Sequence, residues 1–348
     1  MAQAADPVAL FAELEMMRSE LKYTSRALAG ERRKKVRLEE AVQLACRASF
    51  ATMKPLRVAK PKKDGRKKAA EVANINCADW HLGFDSLEES RRLVLEYRDK
   101  IVELTQIQRA DHPVEDAHIP FLGDICHGEQ IYPSSPYEQD ASLIDQAVTD
   151  GAALVCEFIV SLLSEFRHAH VPWLAGNHGW LGARKGGVYD PDSNLDRAMG
   201  FVVKGRLEAA GLGDRVTFEI PRAKRKQFGS MTVDRIGEWS ALLMHGHQLK
   251  GGSSYGGLPF YGFNRKGLQF GDLGFTGILP RFKDITCGHY HVVASIPIMS
   301  HQLRVCGSLQ SATSYAVEQL AAHSPPAQFL TFVHPQGGEV TAEYPVRL

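Results

Sequence analysis

Five short segments of this chain each follow an apolar run, and each ends that run with carboxylate, imidazole or carboxamide groups. Asp79-Trp80-His81 follows residues 72–78, Gly123-Asp124-Ile125-Cys126-His127-Gly128 follows 118–122, and Gly176-Asn177-His178 follows 171–175. His245-Gly246-His247 follows 241–244, and Gly288-His289-Tyr290-His291 follows 284–287. Short apolar runs bounded by glycine read as buried strands. Polar groups just past the carboxyl ends of neighbouring strands converge on one crevice in an open α/β sheet. The pattern therefore demands an α/β fold that gathers these groups at a single place.

The remaining pattern agrees. Residues 87–107, 137–166 and 192–210 carry helical apolar stripes between the early strands. Past residue 215 the character shifts to strands, at 216–220, 231–236, 294–299 and 329–333. The α/β domain is expected over residues 70–348. Residues 7–50 read as a long helix, giving an N-terminal helical extension over 1–52. Leu10, Leu14, Met17, Leu21, Thr24 and Leu28 hold heptad spacing, Glu31 and Lys35 interrupt it, and Leu38, Val42 and Ala45 resume it. Two readings stay open: a coiled coil, which implies a homodimer or a docked partner protein, and an amphipathic helix packed on its own domain.

Residues 53–69 form a basic linker. Lys54, Arg57, Lys60, Lys62, Lys63, Arg66, Lys67 and Lys68 face one acid, Asp64, with prolines and a glycine between them. The run is either a flexible, solvated charge segment or an arm for phosphate backbone, where counterion release supplies affinity. The net charge of the whole chain, +1, makes no global case for nucleic acid.

Six widely spaced cysteines form no CxxC pair, which argues against a disulfide framework or a structural zinc site. No run approaches the roughly 20 apolar residues of a membrane span, and the first residues lack a signal-peptide pattern. A cytoplasmic protein with no membrane partner is the expectation. Seven of the fourteen histidines lie in the five motifs.

Those motifs supply a mixed nitrogen and oxygen donor set. Two divalent cations need about four protein ligands each, with a carboxylate suited to bridge them. Such a set favours Mn2+, with Zn2+, Fe or Ni2+ as alternatives, over the all-oxygen shells of Mg2+ and Ca2+. A cation pair lowers the pKa of a water and clamps phosphoryl oxygens during displacement.

The ordered motifs resemble the calcineurin-like metallophosphoesterases, whose pattern is DxH, GDxxD, GNH(D/E), H and GHxH. The resemblance spans roughly residues 72–295. It implies a four-layer α/β/β/α sandwich of two mixed sheets. It also implies that Asp79, His81 and His291 hold one metal, that Asp124 bridges, and that Asn177, His245 and His289 hold the second. His178 then protonates the leaving oxygen or stabilises transition-state charge. Two positions depart from the pattern. His127 replaces the second Asp of GDxxD, as in the SbcD-type repair nuclease that works with a long coiled-coil ATPase, where that histidine belongs to the exonuclease site. Gly179 replaces the acid that orients the catalytic histidine, and His127 is a candidate for that orienting role.

Phosphoesterases of phage origin are also similar, which implies a bacterial or phage-infected host cell. The function implied is a phosphodiesterase or nuclease cleaving DNA. The alternative is a phosphomonoesterase acting on phosphoprotein or nucleotide; a binding module without activity is disfavoured because the ligand set is complete. Substrate contacts are expected from Arg184, Lys185, Lys250, Tyr255 and Arg265, in segments mixing glycine, aromatics and basic residues. His247 has no assigned role.

Overall fold

The computed structural model describes residues 55–131, 139–181, 192–222, 228–250, 258–310 and 324–348. The predicted N-terminal helix lies outside them. Six strands form the first sheet: β1 (Glu71–Asn76), β2 (Val114–His118), β3 (His168–Pro172), β4 (Val216–Glu219), β10 (Ala327–His334) and β11 (Glu339–Arg347), ordered β11-β10-β1-β2-β3-β4. β1 to β4 run parallel, and β10 and β11 pair antiparallel at one side. Five strands form the second sheet: β5 (Met231–Ile236), β6 (Trp239–Met244), β7 (Asp284–Cys287), β8 (Ala294–Ile298) and β9 (His301–Val305), ordered β5-β6-β7-β9-β8. β6, β7 and β9 are parallel to one another, while β5 and β8 close the sheet antiparallel.

Strand β6 shows why the two sheets stack. All six of its residues are buried, and they alternate between two cores with the period of a strand. Trp239, Ala241 and Leu243 meet Ala78, Leu122, Leu174, Phe329 and Val333 of the first sheet. Leu242 and Met244 face the opposite way, with Ile285, Leu303 and Val305, onto Phe263 and Phe270 of helix α5 (Phe260–Phe275). The outer face of the first sheet takes α1 (Leu87–Arg109) and α3 (Asp150–Leu162), where Tyr97 stacks on Phe158 and donates its hydroxyl to the Asn76 carbonyl. The result is a four-layer α/β/β/α sandwich of two mixed sheets. No helix among the described residues is long and apolar enough to cross a membrane.

Ser86 starts α1 by accepting from the Glu89 amide, with Glu88 and Glu89 in the first turn. The helix expected over 137–166 is two helices where it is described, α2 (Leu143–Ala147) and α3. The break lets Gln146 turn inward, where its Oε1 accepts from the Gly128 amide at the motif loop. Strands expected at 118–122 and 171–175 lie several residues earlier; residues beyond them make only isolated bridges such as Phe121 to Trp173. Helix α5 includes part of the glycine, aromatic and basic segment around Arg265. Its glycines have poor helix propensity, but they allow close packing: a Cβ on Gly267 would sit 2.8 Å from Ile298 Cδ1. β9 and β11 also went unread, the latter because its mostly exposed alternation lacks apolar runs.

The basic segment is not a loose arm over its described part. Leu56 donates its amide to the Ala210 carbonyl, Arg215 and Arg167 bind the Val58 and Pro61 carbonyls, and Arg66 binds Asp64 and the Arg109 carbonyl. Lys68 pairs with Asp111. These anchors lie where β2, β3 and β4 begin or just before, so the segment forms a strap along the amino ends of the parallel strands.

Candidate metal centre

All five motifs sit past the carboxyl ends of parallel strands: β1, β2 and β3 in one sheet, β6 and β7 in the other. Main-chain bonds bring them together. His81 and Leu82 donate amides to the Asp124 and Ile125 carbonyls, and Gly288 donates to the His245 carbonyl. The glycines permit this approach: a Cβ on Gly176 would lie 2.0 Å from Asp124 Oδ1, and one on Gly288 would lie 2.3 Å from Asp79 Oδ2. Six described non-glycine residues have positive φ, and five are Asp79 (52°), His81 (48°), Asp124 (52°), His289 (75°) and His291 (56°). Each such conformation costs about 1–2 kcal/mol, and this strain collects where the ligands were expected.

Asp79, His81 and His291 form one set. Asp79 Oδ2 accepts from the His289 amide at 2.8 Å, while Oδ1 is buried without a hydrogen-bond partner. Oδ1 lies 3.4 Å from His291 Nε2 and 3.8 Å from His81 Nε2, and the two imidazole nitrogens are 3.1 Å apart. Donors sharing one cation at ~2.1 Å stand about 3–3.5 Å apart.

Asp124, His245 and His289 form the second set. His245 Nδ1 lies 3.0 Å from the Leu122 carbonyl, so its N–H points there and the Nε2 lone pair faces Asp124 Oδ2 at 2.9 Å. Two lone pairs held that close require a proton or a cation between them. Burial opposes charging His245, but the Asp124 carboxylate outweighs it and raises the imidazole to about 9. Burial likewise opposes ionisation of Asp124, yet His245 and His178 hold its carboxyl well below the usual range. Burial, then neighbouring imidazoles, hold His81 far down and His289 at about 2, so both are neutral ligands near pH 7.

Two expected ligands carry a buried polar atom with no hydrogen-bond partner, Asp79 Oδ1 and Asn177 Oδ1, and His245 Nε2 meets only the Asp124 carboxylate. Leaving such an atom unpaired costs about 1–3 kcal/mol. The ion-pair contacts of Asp79 and Asp124 among the described residues are all with imidazoles, not with lysine or arginine. Divalent cations fit this donor set.

His178 is held at both ends. Its amide donates to Asp124 Oδ1 at 2.8 Å, and Nδ1 lies 3.0 Å from the His127 carbonyl. The orienting role expected of His127 therefore falls to its main chain. Gly179 is explained too, since a Cβ there would come within 2.6 Å of Asn194 Oδ1. The His127 ring joins His81 and His178, with Nδ1 3.4 Å from His81 Nδ1. Burial and the His178 charge lower His127 to about 4.

His247 stands beside the second set, its ring 5.6 Å from His245 and 5.5 Å from Trp180, with Nδ1 buried and unpartnered. Burial, then His245, lower it to about 3. Lys250 and Arg265 are exposed, and Arg265 Nη2 donates to the Lys250 carbonyl at 3.3 Å. Arg265 stands on α5 rather than on a loop, and Phe263 of the same segment is core. Arg184, Lys185 and Tyr255 lie outside the described residues.

Asp196 was missed. Near the start of α4 (Leu195–Ala209), it is fully buried and accepts from the Asp124, Cys126 and Gly176 amides, each at 2.9 Å. One carboxylate thus ties the second and third motif loops together. Burial and the Asp124 charge raise it to about 6. Its sequence signal is only that of a helix start, Asn194 followed by an acid.

No family model matches the chain, and no curated protein is similar to it. Solved structures are similar at low identity. A novel archaeal phosphodiesterase is 9% identical, with 79% of this chain and 99% of that chain covered and a TM-score of 0.35. Vacuolar Protein Sorting 29 from Cryptosporidium parvum is 14% identical, with 80% and 100% covered and a TM-score of 0.36. A predicted phosphoesterase from Streptococcus pneumoniae is 12% identical, with 79% and 98% covered and a TM-score of 0.31. Likeness at this level leaves the function to the geometry of the site.

Proposed function

We propose that the chain is a dinuclear metal-dependent phosphoesterase of the calcineurin-like kind, acting as a phosphodiesterase that cleaves DNA. The observation that carries the reading is the pair of ligand sets, with orphaned buried donors, facing one crevice beside His178. Asp79, His81 and His291 would hold one cation, Asn177, His245 and His289 the other, and Asp124 would bridge. When bound, the cations supply an activated water and neutralise phosphoryl charge.

The chain's own groups do the rest. Nδ1 of His178 donates to the His127 carbonyl, which leaves Nε2 to carry the proton given to the leaving oxygen. Asp124 fixes the same residue through its amide, so bridging carboxylate and proton donor keep one spacing. The His127 ring stands beside His81 and His178, and its GDxxH position supports the diester reading. Lys250 and Arg265 add positive charge on the His247 side.

The strap favours one alternative. Its cations lie at the amino ends of the strands, away from the crevice, and a substrate smaller than DNA needs no such arm. The second reading is therefore a phosphomonoesterase for nucleotide or phosphoprotein.

The test incubates purified protein and Mn2+ with end-labelled duplex and single-stranded DNA and with small phosphomono- and phosphodiesters, beside Asp124→Ala. DNA cleavage lost in the variant is the expected result. Hydrolysis of monoesters with DNA intact selects the alternative. No hydrolysis of any ester overturns both.

A further inference from the structure

A second group of metal-ligating side chains lies inside the sandwich, sharing no residue with the centre above. His118 on β2 and His170 on β3 are register partners, so both side chains leave the same face of the first sheet, with rings 4.9 Å apart. Asp234 on β5 of the second sheet meets them. Its carboxylate is 3% exposed and lies 2.8 Å from His118 Nδ1 and 3.8 Å from His170 Nε2. Glu219 on β4 adds a fourth donor, with Oε2 3.9 Å from the same His170 nitrogen.

Three details distinguish this group from an ordinary hydrogen-bonded histidine. His170 Nδ1 is 2.9 Å from Thr217 Oγ1, which can take its N–H and leave the Nε2 lone pair aimed between the two carboxylates. The 3.8 and 3.9 Å separations are too long for hydrogen bonds. They are a few tenths wider than the ~3.4 Å between donors on one tetrahedral ion, a gap that small side-chain rotations close. Asp234 is buried, yet its ion-pair contacts are two imidazoles rather than a lysine or arginine. A buried carboxylate without a fixed cation is costly unless a cation joins it.

We infer that His118, His170, Asp234 and Glu219 bind one transition-metal cation of the zinc class, which clips β5 at the margin of the second sheet to three strands of the first. Two imidazoles and two carboxylates suit Zn2+ and disfavour Mg2+ and Ca2+. Half-buried His170 and Glu219, with side chains 29% and 44% exposed, leave a route in from solvent. Asp234 pairs with Ala241 across β6, four residues before His245, which separates the two centres by roughly 13 Å along the strand. The ion is therefore structural and takes no part in ester hydrolysis.

The test measures zinc per chain, after stripping and reloading full-length protein, for the unchanged chain, His170→Ala, His170→Gln and Asp124→Ala. Gln keeps the side-chain volume should Ala prevent folding, and circular dichroism checks each variant. Both His170 variants are expected to lose one ion per chain, together with the rise in melting temperature that zinc gives, while ester hydrolysis is unchanged. Asp124→Ala loses hydrolysis but keeps this ion. Zinc content equal in the unchanged chain and folded His170 variants overturns the inference, whatever the outcome at the other centre.

Discussion

At the scale of single residues, the donors and their supports behave differently. Asp79, His81, Asp124, His245, His289 and His291 stand where backbone strain and unpartnered buried polar atoms gather. Asp196 never needs to touch a cation, yet it sets the spacing of two motif loops. Asp196→Ala strands three buried amides, and Asp124 and Asn177 lose their alignment. The variant is expected to lose about 3 kcal/mol of stability and roughly 10- to 100-fold in metal affinity. Chemical denaturation and a metal titration check the two separately. Unchanged affinity would show that the loops hold their spacing without the carboxylate.

At the scale of elements, the strap and the helices show how tertiary contacts redirect a sequence pattern. A run of eight basic residues looks like an arm, but its backbone is taken up by partners along the sheet's amino end. Arg215 is the main fastener: 6% exposed, its guanidinium binds the Val58 and Phe166 carbonyls at 2.8 and 3.0 Å and also reaches Arg167 and Leu163. Arg215→Ala is expected to cost about 3 kcal/mol through unsatisfied carbonyls and to open the strap to proteolysis near Lys62 and Lys63, with little effect on kcat for small esters. Protease mapping beside steady-state kinetics tests this, and a large fall in kcat would tie the strap to the crevice after all. Helix α5 teaches the same lesson in reverse. Gly262, Gly267, Gly271 and Gly274 have poor helix propensity, and the packing against Ile298 and the second core holds them in a helix.

At the scale of the whole molecule, the crevice exists because two separately formed sheets present their parallel strands the same way, and a cluster of neutral imidazoles must fold between them. Its stability therefore depends on pH. His127, His247 and His289 are lowered to about 4, 3 and 2 in the folded chain, against about 6.5 unfolded. Between these values the unfolded chain binds more protons, so stability rises with pH up to about 6.5 and is lost as pH falls below it, by about 1.4 kcal/mol per histidine per unit. His245, raised to about 9, acts oppositely: its contribution is present below about 6.5 and fades as pH climbs through 9. Calorimetry of the chelator-treated protein is expected to show the melting temperature falling steadily from pH 6.5 to 4.5, and a flat profile would mean that these rings are not buried neutral. The sequence by itself determined the α/β class and the order of the five polar motifs along it, because residue chemistry and strand periodicity are local properties readable residue by residue. Only the tertiary structure decided that Asp196 clamps two loops, that His118 and His170 meet Asp234 across the sheets, that α5 is a helix and that the basic run lies away from the crevice. Those facts depend on which distant segments pack together, and the cost of burying a carboxylate or an arginine is met by partners about 50 to 160 residues away along the chain.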